Sequence, residues 1–274
     1  MNTTYKQNLH THSTYSDGKS TPRELVLAAI ERGFTTLGFS EHSYMSFSDY
    51  PYQMTVADAE RYKKEIRALK EEYRERLDIF CGLELDIFSD MPTDGYDYII
   101  GSVHYLDFDG RILDFDKRLE GAIAYVNDHF GGDGLAFAKK YYETVARLGE
   151  RDNVDIIGHF DLITKNNDKG GFFDTTSSEY LSYGMEAIGA LRGKIPFFEV
   201  NTGAIARGYR TTPYPELVFL REFRKQGFGA VISADCHNKD FLDCHFDEAR
   251  ELLLAAGFKS KWILTDGGFT EVAL

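Results

Sequence analysis

Residues 8–18 read Asn8-Leu9-His10-Thr11-His12-Ser13-Thr14-Tyr15-Ser16-Asp17-Gly18 and end an apolar, β-branched run that predicts a strand. Residues two apart on a strand point to the same face, so His10 and His12 converge while Leu9 faces the packing side. Asp17 and Gly18 predict a turn that returns a carboxylate to the same rim. Taken alone, a His-x-His pair is more often solvated or hydrogen-bonded than metal-bound, so its meaning depends on the rest of the chain.

The same unit, a short strand-like run followed by a turn and a helical pattern, recurs along the sequence. The strand-like runs lie near residues 5–12, 36–42, 78–86, 98–106, 154–161, 197–202, 230–237 and 262–265. Helical patterns cover residues 21–33, 56–76, 134–148, 177–192, 215–226 and 246–256. This alternation indicates parallel strands joined by crossovers, and seven or eight units suit a closed α/β barrel. No linker divides the 274 residues, so we expect one domain over residues 1–274.

Composition excludes several classes of partner. The chain has 31 Lys plus Arg against 44 Asp plus Glu, a net charge of -13, which argues against binding to long nucleic acid or an anionic membrane. A small anionic substrate is not excluded, because one local site sets its affinity. The three cysteines, Cys81, Cys236 and Cys244, contain no Cys-x-x-Cys pair and indicate a reducing compartment. Without a signal-peptide pattern or a long apolar run in the sequence, we expect a cytoplasmic protein.

Histidines recur at the ends of the strand-like runs. Five runs carry one at or near the C-terminal end, namely His12, His42, His104, His159 and His237. In a barrel of parallel strands these ends meet at the rim where the loops build the active site. Eight histidines are an ordinary number for this length, so only their placement indicates function. His129 and His245 lack this setting, and we interpret them as surface or structural residues.

Carboxylates accompany the histidines in this pattern. Asp235 and His237 share a face by two-residue alternation, and we expect Cys236 between them to be a buried, small apolar residue. Glu84 lies in an apolar strand, where either a metal ion or a salt bridge would explain an ionised carboxylate. With Asp17 and six histidines these make nine donors, too many for one ion. We therefore expect two or three divalent ions, and Zn, Mn and Fe all suit such ligands.

Six short motifs follow one another along the chain: His10-x-His12 with Ser16-Asp17-Gly18, Glu41-His42, Gly82-Leu83-Glu84, Ser102-Val103-His104, Gly158-His159-x-Asp161 and Ala234-Asp235-x-His237. In this order they resemble the polymerase-and-histidinol-phosphatase (PHP) superfamily over residues 5 to about 240. The resemblance implies an α/β fold, a distorted (β/α)7 barrel with a trinuclear metal centre at the C-terminal ends of its strands. The segments 199–203 and 213–215 are most similar to the PHP-type histidinol-phosphatases.

The resemblance also implies roles for individual residues. One ion would be held by His10, His12, Glu84 and Asp235, a second by Glu84, His104 and His159, and a third by Asp17, His42 and His237. A water activated by these ions would attack the phosphorus of a phosphomonoester, with Asp235 or His42 as the general acid. Phosphate contacts are expected from Arg207 and Lys165, with Arg210 as the substitute. Solvated loop cations are the alternative interpretation of these three basic residues.

The expected activity is therefore that of a metal-dependent phosphomonoesterase, by resemblance one that hydrolyses L-histidinol phosphate in histidine biosynthesis. The alternatives are a PHP phosphoesterase for a nucleotide, an oligonucleotide end or phosphotyrosine, and, more remotely, a non-enzymatic metal-binding regulatory barrel. The expected partner is a small phosphomonoester, neither long nucleic acid nor a membrane. Tyr44, Phe47, Tyr50 and Tyr52 follow His42 and either form an aromatic wall over the substrate or pack as ordinary core residues.

Overall fold

Eleven strands and nine helices make up the regular structure of the residues described in this computed structural model, 5–48 and 53–274. The strands are β1 Gln7–Asn8, β2 Thr36–His42, β3 Asp78–Asp86, β4 Tyr98–Ser102, β5 Tyr105–Phe108, β6 Arg111–Asp114, β7 Ile156–Ile157, β8 Phe197–Asn201, β9 Gly229–Ser233, β10 Ser260–Thr265 and β11 Gly268–Ala273. The helices are α1 Pro22–Glu31, α2 Val56–Tyr73, α3 Leu119–Phe130, α4 Gly134–Ala146, α5 Asn167–Gly170, α6 Ser178–Leu191, α7 Gly203–Ala206, α8 Leu217–Gln226 and α9 Phe246–Ala256.

Seven parallel strands form the wall of a nearly closed barrel, in the order β1-β2-β3-β4-β7-β8-β9. A few main-chain contacts join the segment just after β1 to the segment just after β9. Thr11 bridges Cys236 in parallel, and the backbone N of His12 donates to the carbonyl O of Cys236 at 2.8 Å. The backbone N of Cys236 in turn donates to the carbonyl O of His10 at 3.0 Å. The predicted α/β barrel is confirmed, and its closure brings the first and last motifs of the sequence together.

A tyrosine fills the lower interior of the barrel. The hydroxyl of Tyr98 donates to the carbonyl oxygens of Leu9 and Phe39, the latter at 3.0 Å. Two glycines make room for this ring: a Cβ on Gly38 would lie 2.3 Å from the Tyr98 hydroxyl, and a Cβ on Gly82 would lie 2.3 Å from its Cζ. The interior is thus close-packed below the rim, and the charged and imidazole side chains of the barrel interior gather at the C-terminal ends of the strands.

The helices cover the outside of the barrel with a continuous apolar layer. The predicted start of α1 is confirmed, since Thr21 and Glu24 form a capping box. No helix within residues 5–48 and 53–274 has the length and apolar character needed to cross a membrane.

Five predicted strands differ from the structure by more than one residue. The run at 5–12 shortens to β1 with an isolated bridge at Thr11, so His10 and His12 lie beyond the strand, and the run at 230–237 ends with β9 at Ser233. The run at 262–265 belongs to β10, which pairs with β11 as an antiparallel hairpin outside the barrel, because β1 and the end of β9 already close the wall. Trp262 and Phe269 of this hairpin contact the ring of Phe197, with centroids 5.1 and 4.3 Å apart. The run at 98–106 divides into β4 and β5, and β5 pairs with β6 as a second hairpin. The run at 154–161 shortens to the two residues of β7.

Candidate metal centre and substrate cavity

The nine residues predicted as metal ligands lie together at the C-terminal ends of the barrel strands. Their nitrogen and oxygen atoms form three groups with separations within 4.8 Å: His10, His12 and Asp235; Glu84, His104 and His159; and His12, Asp17, His42 and His237. His12 therefore belongs to two groups, where the resemblance implied one. The geometry brings the three groups into a single polar centre.

Glu84 connects the three groups. Its Oε1 lies 3.0 Å from His159 Nε2 and 3.4 Å from His10 Nε2. Its Oε2 lies 2.7 Å from His42 Nδ1 and 3.6 Å from His12 Nε2. The strand explains this position, since Phe80, Gly82 and Glu84 alternate along the interior face of β3. Glu84 is the position of this face that follows Gly82 near the C-terminal end of the strand, so its carboxylate reaches the middle of the rim.

Asp235 has a different local origin from the one predicted. Strand β9 ends at Ser233, and Asp235 adopts a left-handed backbone with a φ of 46°. Strand alternation therefore does not aim Asp235 and His237, and this part of the prediction is wrong. A left-handed non-glycine residue is strained and is held by its surroundings. Gly203 allows the close approach, because a Cβ there would lie 2.9 Å from Asp235 Cβ. Cys236 is buried, as predicted.

Carboxylates behind the centre orient the histidine rings. Nδ1 of His10 lies 2.9 Å from Oε2 of Glu199, and the backbone N of His159 donates to the same carboxylate at 2.7 Å. Asp86 accepts from the backbone N of His104 at 2.9 Å and lies 3.3 Å from its Nδ1. Such contacts fix the tautomer and turn the other ring nitrogen toward the metal position. This role of Glu199 was not predicted from the sequence, although Glu199 carries the same signal as Glu84, an acidic residue in an apolar strand.

The loop that carries Asp17 is held by a buried carboxylate. Glu41 accepts from the backbone N of Ser13 at 3.0 Å and from the hydroxyls of Ser13 and Ser16. Burial raises the pKa of Glu41 despite these donors. Asp17 Oδ1 then lies 3.1 Å from His237 Nε2 and 3.5 Å from His42 Nε2. The predicted turn thus places its carboxylate over the rim.

Pairing between imidazoles and carboxylates sets the charge of the centre. Burial opposes ionisation of His10, but Glu199 and Glu84 raise its pKa well above the ordinary value. Burial likewise opposes the charge on Glu84, and the neighbouring histidines nevertheless hold its pKa well below the usual range. His12 behaves differently, because burial and its two histidine neighbours lower its pKa to about 3. A neutral imidazole at neutral pH is the form that binds a metal.

Three atoms of the donor set are buried without a well-aligned hydrogen-bond partner among the described residues and point into the centre. They are His10 Nε2, His12 Nε2 and Asp17 Oδ1. Buried polar atoms without a partner are costly and rare, and these three point into the same centre. Imidazole nitrogens and carboxylate oxygens are ligands that Zn, Mn and Fe accept. The residues present therefore fit divalent ions.

A cavity of about 430 Å³ opens beside the centre. Beyond the ligand residues its lining is charged and aromatic, and includes Tyr105, Asp114, Asp116, Arg118, Lys165, Arg207 and Tyr209. The lining thus places lysine and arginine side chains, together with the carboxylates of Asp114 and Asp116, within reach of a small molecule. Asp114, Asp116, Arg118, Tyr105 and Tyr209 were not predicted as site residues, because none of them belongs to the six motifs of the sequence.

The structure separates the three basic residues predicted to bind phosphate. Arg207 lines the cavity, and its Nη2 donates to Asp235 Oδ2 at 2.7 Å. Lys165 lines it too, with Nζ 2.7 Å from Asp116 Oδ1. Arg210 does not: its guanidinium is buried, donates to the hydroxyl of Thr164 and is absent from the cavity lining. The substitute role expected of Arg210 is corrected on this ground.

Of the four aromatic residues that follow His42, predicted either as a wall or as packing, the structure describes Tyr44 and Phe47. Tyr44 packs against the apolar layer, and Phe47 contacts the ring of Tyr105 with centroids 5.5 Å apart. Neither lines the cavity. Tyr44 matches the packing interpretation, whereas Phe47 is 38% exposed and is not part of the core. Tyr50 and Tyr52 lie outside the described residues. His129 contacts the ring of Tyr125 on α3, and His245 precedes α9, both away from the centre.

Comparison with known proteins identifies the family. The PHP domain matches residues 8–202. The chain belongs to the PHP family. This PHP protein is 30% identical over 242 residues to the protein named probable histidinol-phosphatase in Deinococcus radiodurans, covering 84% of this chain and 85% of the relative. It is 28% identical over 261 residues to the histidinol-phosphatase of Bacillus subtilis, covering 85% and 93%.

Other PHP comparisons extend this result. The PolX DNA polymerase/3'-5' exonuclease of Bacillus subtilis is 37% identical over 244 residues, which are 87% of this chain and 35% of that longer protein. Among solved structures, a candidate histidinol phosphatase of Listeria monocytogenes superposes with a TM-score of 0.76 at 21% identity, covering 88% of this chain and 99% of the other. The Lactococcus lactis histidinol phosphate phosphatase, solved with zinc, L-histidinol and phosphate, gives 0.68 at 19% identity, covering 97% and 98%. These two structures support the fold.

Proposed function

We propose that this PHP protein is a metal-dependent phosphomonoesterase that hydrolyses L-histidinol phosphate to L-histidinol and phosphate. One observation carries the proposal: three groups of metal-type ligands meet at Glu84 and open on a cavity lined by Arg207 and Lys165. The relatives named histidinol-phosphatase align over most of both chains, which supports the choice of substrate.

We assign the metal ligands by the three groups. His10, His12 and Asp235 would hold one ion, Glu84, His104 and His159 a second, and Asp17, His42 and His237 a third, with Glu84 shared. Bound divalent ions supply an activated water and neutralise charge on the phosphoryl group. The number of ions, two or three, and their identity as Zn, Mn or Fe are part of the proposal.

The protein's own side chains bind and orient the phosphate. Arg207 is fixed by two contacts, from Nη2 to the carboxylate of Asp235 and from Nη1 to its carbonyl O at 2.9 Å. A guanidinium held in this way presents a preorganised charge to the phosphate oxygens as charge develops. Lys165 provides the second cation of the cavity lining. The leaving alkoxide needs a proton, which we assign to His42 or Asp235, the two predicted acids that line the cavity.

We further propose that residues 1–274 act as one domain on a small molecule in the cytoplasm. The hairpin of β10 and β11 supports the single domain, because its aromatic residues pack on Phe197 at the start of a barrel strand. Long nucleic acid is disfavoured, since the net charge is -13 and two carboxylates, Asp114 and Asp116, face the cavity.

The second candidate is hydrolysis of an oligonucleotide end, which the 37% identity to PolX favours. The experiment that separates the two compares kcat/KM for L-histidinol phosphate, nucleoside monophosphates, oligonucleotide ends and phosphotyrosine, each with Zn, Mn and Fe. We expect L-histidinol phosphate to be preferred by at least about 10-fold, the smallest margin that differential contacts to one charged group supply. Preference for an oligonucleotide end would replace the proposed function by the second candidate.

A further inference from the structure

An ion pair lies inside the cavity, beside the centre rather than within it. Lys165 Nζ is 2.7 Å from Asp116 Oδ1, and both residues line the cavity. Lys165 is the one hydrogen-bond donor to this carboxylate among the described residues. Its ammonium also lies 4.6 Å from the ring centroid of Tyr209. The pair places one positive and one negative charge side by side where a substrate would bind.

The backbone fixes Asp116 in this position. The residue follows the hairpin of β5 and β6, and its backbone N donates to Asp114 Oδ1 at 2.7 Å. The backbone N of Phe115 donates to the carbonyl O of His104 at 3.1 Å, which ties the segment to a metal-type ligand. Burial opposes the charge on Asp116, but Lys165 and His104 hold its pKa below the ordinary value. A fixed, ionised carboxylate therefore faces the cavity.

Like this ion pair, the proposed substrate has a positively charged ammonium group and a negatively charged group. L-Histidinol phosphate has an ammonium group on the carbon next to the ester carbon, so its cation and its phosphate lie close together. Resting on the proposed function, we propose that Asp116 selects phosphomonoesters that carry an ammonium group. On binding, the carboxylate exchanges Lys165 for the substrate ammonium, and Lys165 turns to the phosphate.

The exchange distinguishes phosphomonoesters with an ammonium group from those without one, because only the former leave both Asp116 and Lys165 paired. A phosphomonoester without an ammonium group would draw Lys165 to its phosphate and leave the Asp116 carboxylate beside a dianion without a partner. An unpaired charge in a partly buried site is unfavourable, and rejecting a wrong ligand in this way gives specificity. Asp116 thus acts by contact with the substrate.

The test uses a matched pair of substrates, L-histidinol phosphate and 3-(imidazol-4-yl)propyl phosphate, which differ only in the ammonium group. We expect the wild-type ratio of their kcat/KM values to be about 10- to 100-fold in favour of the ammonium substrate, the range for hydrogen bonds to charged groups. Asp116→Asn, with Asp116→Ser as a second variant, should bring the ratio near one. The control Asp109→Asn, in the exposed turn of the same hairpin and outside the cavity lining, should keep it. Lys165→Met should raise KM for both substrates without lowering the ratio.

Two outcomes overturn the inference while leaving the phosphatase function intact: a wild-type ratio near one, or an unchanged ratio in both Asp116 variants. A ratio that falls equally in Asp109→Asn would show that the effect is not specific to Asp116 and would overturn the assignment. Absence of wild-type turnover of L-histidinol phosphate contradicts the proposed function itself, and this inference falls with it. Circular dichroism of each variant reports whether it is folded.

Discussion

Nδ1 of His10 lies 2.9 Å from Oε2 of Glu199, and the same carboxylate also accepts from Asn201, Ser233 and the backbone N of His159. The carboxylate thus fixes the hydrogen of the imidazole on Nδ1, and Nε2 faces Glu84 and Asp235 at 3.4 and 3.7 Å. Both partners are fully buried, so no solvent competes for the contact. The first histidine of the chain is therefore aimed by a residue of β8, which lies 189 positions away in the sequence but two strands away around the closed barrel.

This contact predicts the effect of Glu199→Gln. The substitution keeps the size of the side chain but removes the charge that stabilises the Nδ1–H tautomer, so metal affinity should fall by about 10- to 100-fold. Titration of the metal-free variant with Zn or Mn measures the change. The control is Glu186→Gln on the exposed side of α6, which should bind metal as the wild type does. Equal affinities in the two variants would contradict the positioning role.

Metal removal tests the chemistry of the centre. Treatment with a chelator should abolish phosphomonoesterase activity and lower the thermal stability, because the ions bind only the folded arrangement of ligands. Adding Zn, Mn or Fe back should restore both properties, and metal analysis of the restored enzyme counts the ions. Full activity in a preparation free of metal would sink the proposed mechanism.

Arg207 and Arg210 should give opposite phenotypes. Arg207→Ala removes a cation at the cavity and should raise KM by about 10- to 100-fold, as loss of a charge-assisted contact does. Arg210→Ala instead leaves Thr164, Glu216 and the nearby Asp161 without their buried cation. It should lower the free energy of unfolding by about 3 kcal/mol with little change in KM. Steady-state kinetics and urea unfolding separate the two, and an unchanged KM in Arg207→Ala would move the phosphate contact to Lys165.

Gly38 and Tyr98 should be coupled in stability. Gly38→Ala places a methyl group 2.3 Å from the Tyr98 hydroxyl and should cost about 1–3 kcal/mol by overpacking. Tyr98→Phe removes that oxygen, the closest of the three atoms that the methyl group would meet. In urea unfolding the double variant should therefore lose less stability than the sum of the single variants. Strict additivity would show that the interior relaxes around the added methyl group.

The Glu216 carboxyl predicts a pH dependence of stability. Burial, followed by the charge of Asp161, raises its pKa to about 7, whereas the unfolded chain has an ordinary value near 4.5. Between these values the folded state binds more protons, so this group's contribution to stability is lost as pH rises toward and through 7. Glu216→Gln should therefore gain stability relative to the wild type between pH 5 and pH 8. Unfolding in urea at both pH values measures the difference.

A second glutamate provides the control for that experiment. The pKa of Glu222 is lowered by its hydrogen bond from Gln226, so it is ionised in both states above pH 5. Glu222→Gln should show no change in relative stability between pH 5 and pH 8. A similar slope in the two variants would contradict the assignment to Glu216.

Local patterns in the sequence were sufficient to predict the α/β barrel and to single out nine polar side chains that meet at its rim. Strand β3 spans the predicted residues 78–86, and helix α9 the predicted 246–256, because alternation and capping depend on neighbours along the chain. Histidines at strand ends indicated the rim, since parallel strands bring their C-terminal ends to one side. These inferences needed no distance between remote residues.

Only the tertiary structure decided how remote side chains pair. The side chain of Arg210 is buried in the wall and that of Arg207 lines the cavity, although only three positions separate them in the sequence. His12 belongs to two groups of ligand-type residues. The tertiary structure also brought Lys165 to Asp116 and Glu199 to His10. Such contacts depend on barrel closure and on loop backbones, including the left-handed Asp235, which no periodic pattern encodes. The sequence thus determined which residues reach the rim, and closure of the barrel determined their partners.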